Sequence, residues 1–77
     1  SGLTDVALEM GYVIKPKNGW YQAKNPVDGS ELSGNVRMKD TLKKEFWDNI
    51  FEKTDFATAI EERFKIAYKS ILSDNES

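Results

Sequence analysis

The chain has 77 residues, 39% of them hydrophobic and 31% charged, with a formal net charge of −2 and neither cysteine nor histidine. That length supports one domain, which buries about 60% of the surface its unfolded chain exposes, and an aromatic content of 12% separates it from disordered sequences. Without cysteine or histidine there are no disulfides, thiolate zinc sites or Ser-His and Cys-His catalytic arrangements, and no apolar run exceeds three residues, against the roughly 20 that span a bilayer.

Leu3, Val6, Ala7 and Met10 recur at the spacing of an amphipathic helix, and Gly11 stands where a left-handed residue closes one. Residues 12–14 are β-branched and aromatic strand material, residues 16–19 are turn formers, and residues 20–23 make the return strand. A second turn cluster, residues 25–29, predicts a short third strand over residues 30–33 that ends at Gly34-Asn35. Asp40 or Thr41 is expected to cap a helix carrying Leu42, Phe46, Trp47, Ile50 and Phe51. Thr54 or Asp55 is expected to cap another, striped by Phe56, Ala59, Ile60, Phe64, Ala67 and Ile71, with Glu61 and Lys65 paired at i, i+4 on its outer side. Residues 73–77 read as a flexible tail after a single domain over residues 1–72. The expected fold is α+β: an N-terminal helix, a three-stranded antiparallel sheet, and two C-terminal helices packed on one face. Phe64 is placed in the core, and because the domain's own helices and sheet can cover its stripes, the isolated chain is expected to be a monomer.

Recognisable chemistry is sparse. The loop Gly29-Ser-Glu-Leu-Ser-Gly34 lacks the Lys-Ser/Thr pair that a phosphate loop needs, since Asn35 and Val36 follow it. Glu61 and Glu62 are neighbours that diverge on a helix, and Asp5 and Glu9 have no third ligand. Charge is more informative. Residues 13–44 hold seven bases against three acids, while the flanking segments are both acidic. Such a division offers one face to a polyanion, or else lysines that only solubilise a sheet. Within IKPKNGWYQAKN, residues 14–25, Lys15, Lys17 and Lys24 surround Trp20 and Tyr21. These rings point to opposite faces of a strand, so one of them faces outward or into a second layer. The outward ring can stack while the lysines contact phosphates; equally, the rings can pack under the helices while the lysines decorate a turn.

The segment SGLTDVALEMGYVIKPKNGWY, followed by RMKDT, FW and DFATAIEERFKIAY, resembles the C-terminal domain of RecA-type recombinases, and most closely the UvsX type of large tailed phages. The resemblance implies a non-catalytic accessory lobe of a longer homologous-recombination protein, contacting or gating duplex DNA at a recombinase filament. It implies no cofactor for this chain, since ATP and magnesium belong to the ATPase core, and it places the protein in the bacterial host's cytoplasm. The implied partners are duplex DNA, bound weakly and without sequence preference, and the recombinase core and filament neighbours, with no membrane. Family basic residues near the hairpin carry over to Lys17 and to Arg37 or Lys39. The alternative is a protein-interaction or filament-packing module whose basic face meets an acidic neighbour.

Overall fold

The computed structural model describes residues 2–75 of the chain, and side chains through residue 73. The first helix, α1, is Leu3–Met10, with Thr4 and Ala7 buried and Asp5 in its first turn, where a carboxylate suits the helix dipole. It ends at Gly11, whose φ of 88° lies in the left-handed region. The Gly11 and Tyr12 amides then donate to the Leu8 and Ala7 carbonyls at 3.3 and 2.9 Å. A side chain at Gly11 would be strained in angle and would also meet Pro26 Cβ at 3.3 Å.

Strands β1 (Val13–Lys17) and β2 (Trp20–Ala23) form an antiparallel hairpin. Val13 pairs with Ala23 and Ile14 with Gln22, but Lys17 pairs with Trp20, so β1 carries one extra residue. That bulge falls at Lys15-Pro16. Proline has no N–H to give to a ladder, and a bulge is one of the few places in a sheet that tolerates it. The turn is therefore shorter than expected, Asn18-Gly19 alone. Its one positive φ is that of Gly19, 81°.

The third strand expected over residues 30–33 is not formed, and the sheet has two strands. Residues 31–36 run beside residues 21–24 and make two isolated bridges, Tyr21 of β2 with Val36 and Lys24, just past β2, with Glu31. Two residues separate the bridge positions on the first segment and four separate them on the second, so a continuous ladder has no common register. Ser33 fills the gap, its Oγ accepting the Ala23 N–H at 2.9 Å.

Asp40 and Thr41 do not cap the following helix. They lie inside a 3-10 turn, Met38–Leu42, where Asp40 Oδ2 accepts the Arg37 N–H at 3.2 Å and buried Thr41 donates to the Met38 carbonyl at 2.7 Å. Helix α2 is Lys44–Lys53 and begins after Lys43 with no side-chain cap. Thr54 does serve the next helix, α3 (Phe56–Asn75), by accepting the Phe56 N–H at 3.1 Å. Helix α3 enters the segment expected to be a tail; Glu76 and Ser77 lie outside the described residues.

The core joins α1, the hairpin, α2 and the first turn of α3 through Ala7, Tyr12, Val13, Tyr21, Ala23, Phe46, Ile50 and Phe56. Phe56 is its centre, with the Tyr12 ring at 4.7 Å, Phe51 at 5.2 Å and Trp47 at 6.3 Å between centroids. The placement of Phe64 in this core is overturned, because its side chain is 75% exposed. Leu42 and Ile71 are exposed too, and Phe51 is only partly covered. The cause is geometric. Helix α3 is 20 residues and so about 30 Å long, whereas the core meets it only near Phe56, Ala59 and Ile60. Every described residue from 61 to 73 is exposed. The molecule accordingly measures 48 × 23 × 21 Å, with a radius of gyration of 14.4 Å, against about 11.5 Å for a compact domain of this length. The two C-terminal helices therefore do not both lie flat on one face. No helix among the described residues is long and apolar enough to cross a membrane.

Candidate nucleic-acid interface

The bulge and the two-residue turn together set the hairpin's side chains. Trp20 and Tyr21 point to opposite faces, as successive strand residues must. Tyr21 is the inward ring, 8% exposed and part of the core, and Trp20 is the partly exposed one. Three cations lie on these rings. The Arg37 guanidinium is 4.4 Å from the Trp20 centroid, Lys17 Nζ is 5.6 Å from the same ring, and Lys15 Nζ is 5.5 Å from Tyr21. Arg37 is held further by donating from Nη1 to the Gly19 carbonyl at 3.1 Å. It reaches the hairpin because the residue before it, Val36, exchanges two backbone hydrogen bonds with Tyr21, at 2.7 and 2.8 Å.

Of the seven candidate residues, then, the fold gathers Lys17, Trp20 and Arg37 at one point. Lys15 lies on the Tyr21 side of the hairpin. Lys24 is half-buried, and its backbone is used in pairing with Tyr12 and Glu31. Lys39 is exposed on the 3-10 turn, where its charge helps hold the Asp40 carboxyl below the usual carboxylate range. The larger causes of that depression are the hydrogen bond from Lys43 and the one from the Arg37 backbone. Sequence reasoning missed the stacking of Arg37 on Trp20. No periodicity links residues seventeen apart, and the only available signal was Val36, an isolated β-branched residue able to bridge a strand.

Ion pairing divides the bases into two groups. Lys43 and Lys44 are paired with Asp40 and Asp48 at 3.2 and 2.6 Å, and Arg63 and Lys65 with Glu9, Glu61 and Glu62. Among the described residues Lys15, Lys17, Lys24, Arg37 and Lys39 make no ion pair, and neither do Lys53 at the end of α2 and Lys69 on α3. The acids of α3 stand on a different element. Among the described residues no group of three or more acidic side chains is placed to hold a metal ion. In the Gly29–Gly34 loop the Ser30 N–H and hydroxyl both donate to the Asp28 carboxylate, at 2.9 and 2.7 Å, so a negative group already occupies the donors a phosphate would need.

Residues 1–60 match the family described as the C-terminal domain of the bacteriophage T4 recombination and repair protein. The chain belongs to that family. The recombination and repair protein of Enterobacteria phage T4 is 41% identical to it over 73 residues, covering 86% of this chain and 18% of the relative. The chain thus corresponds to a small part of that relative's length. The family match stops at residue 60, where α3 leaves the core. No solved structure matches.

Proposed function

We propose that this phage recombination-protein C-terminal domain contacts duplex DNA through its phosphates, with Lys17 and Arg37 as the central contacts and Lys15, Lys24 and Lys39 around them. In a longer recombinase such a contact admits or gates incoming duplex at the filament. The observation that carries the reading is the pair of cations resting on Trp20 without a carboxylate partner, whereas Lys43 and Lys44, at the end of the same basic segment, are paired with Asp40 and Asp48. Arg37 is also preorganised by the Gly19 carbonyl, so little side-chain freedom remains to be lost on binding. Trp20 supports the cations; its ring is partly covered by them and offers little face for stacking a base. Phosphate contacts position a duplex without reading its sequence, so the expected affinity is weak, about 10⁻⁴–10⁻⁶ M at physiological salt.

The test is a duplex titration of the 77-residue chain followed by chemical-shift mapping at low and physiological salt. Shifts should centre on residues 15–20 and 37–39. Each lost phosphate contact should reduce the log–log salt slope by about 0.9, and Lys17→Ala with Arg37→Ala should show this while leaving the fold intact. Shifts centred on Glu61 and Glu62, or none at millimolar duplex, would overturn the reading. Tight binding of an acidic protein that duplex cannot displace would favour the interaction module instead.

A further inference from the structure

Helix α3 and α1 enclose an open groove of about 290 Å³ that no part of the described chain fills. Its walls are apolar: Leu3 and Val6 on α1 face Ile60, Phe64 and Ala67 on α3. The Glu9–Arg63 ion pair, 2.8 Å, joins the two helices at its edge. On the other side of Phe64 the apolar surface continues over Tyr68 and Ile71. From residue 60 to residue 71 this stripe is about 17 Å long, three turns of helix. An amphipathic helix gains most of its stability by packing its apolar face on something else, and every described residue of α3 from 61 to 73 is exposed.

We propose that this groove receives an apolar segment of the polypeptide that precedes the domain in the longer protein, so that α3 and α1 clamp the domain against its own parent chain. This rests on the reading of the domain as one part of a longer recombination protein. Two observations select the occupant. The matched region is 18% of the relative, and the family is a C-terminal domain, so most of that relative's chain lies before it. In this structure the described chain begins at the groove itself, because Gly2 is one of its lining residues. A segment attached there is presented at millimolar effective concentration. It fills a groove of this size ahead of a second copy at micromolar concentration.

The chain contains no cysteine, so Ala67→Cys gives one thiol in the groove. Its labelling rate is measured in the 77-residue chain and in the protein extended at its N terminus to full length, without DNA, with the exposed Glu52→Cys as reference. The thiol should react freely in the 77-residue chain and at least tenfold more slowly in the extended protein, with Glu52→Cys unchanged. Adding Phe64→Asp should restore fast labelling in the extended protein. Hydrogen exchange of residues 61–72 in the unsubstituted proteins should likewise be slow in the extended protein and fast in the 77-residue chain. Equal rates in the two proteins overturn the proposal. So does protection in the 77-residue chain that grows with its concentration, which assigns the face to a second copy, and so does protection that needs duplex. Because no arm uses the hairpin, loss of DNA binding leaves this result standing, and the reverse also holds.

Discussion

Phe56 and Phe64 are separated by two turns of one helix and differ almost completely in burial. Truncating a fully buried phenylalanine costs about 3–5 kcal/mol, so Phe56→Ala should remove much of this small domain's stability. Phe64→Ala in the same chain should change it by less than about 0.5 kcal/mol, as surface substitutions do. Urea unfolding of both variants checks the pair, and comparable losses would show that α3 folds back onto the core in solution. Tyr12 makes a different prediction. Its hydroxyl donates to Asp55 Oδ1 at 2.6 Å, and burial, followed by the bond to Asp55 and that residue's charge, raises its pKa from 10.0 to about 12. The folded state therefore holds the phenolic proton more tightly than the unfolded chain does. Tyr12's contribution is complete below pH 10 and is lost as the pH climbs toward 12. Stability followed between pH 9 and 12 should fall more steeply in wild type than in Tyr12→Phe; parallel curves would refute the assignment.

The hairpin shows how an element's geometry sets the candidate interface. Gly19 at φ 81° allows the tight turn, and a Cβ there would come within 3.1 Å of Arg37 Nη1. Gly19→Ala should therefore act twice, straining the turn by roughly 1 kcal/mol and pushing the guanidinium off the carbonyl it donates to. The expected result is a folded protein with slightly lower stability and weaker duplex binding. Retained wild-type affinity would mean that Arg37 needs no preorganisation. Arg37→Lys keeps the charge but loses the planar stack on Trp20, so it should weaken binding severalfold while leaving the salt slope almost unchanged. A slope reduced as far as in Arg37→Ala would argue against a positioning role for Trp20.

At the scale of the whole molecule, stability is concentrated at one end. The core occupies α1, the hairpin, α2 and the first turn of α3, and the remainder of α3 extends into solvent. Opening free energies follow local burial. In the 77-residue chain, amides from about residue 64 onward should exchange orders of magnitude faster than those of Ile50 or Ile60, whose helices are anchored by the core. Uniform protection along α3 would show that its stripe is covered in solution. The expectation of a monomer assumed that the domain buries all of its own stripes. Helix α3 removes that assumption, and oligomeric state becomes a question about its outer face.

Much of the fold is legible from local pattern because its causes are local. Helix α1, its closure at Gly11, the hairpin and the helical character of residues 44–53 and 56–72 follow from apolar spacing, β-branched residues and turn chemistry within a few positions of each other. The basic middle and the family likeness around KPKNGWY are visible in the same way. The missing third strand, the inward choice of Tyr21 over Trp20, the landing of Arg37 on Trp20 and the exposure of Phe64 are decided at a distance. A stripe records only which face of a helix is apolar, and whether that face meets a partner depends on where the core ends. For α3 it ends near Ile60, a limit set by the size of the small sheet and by the reach of α2, to which no residue of α3 bears witness.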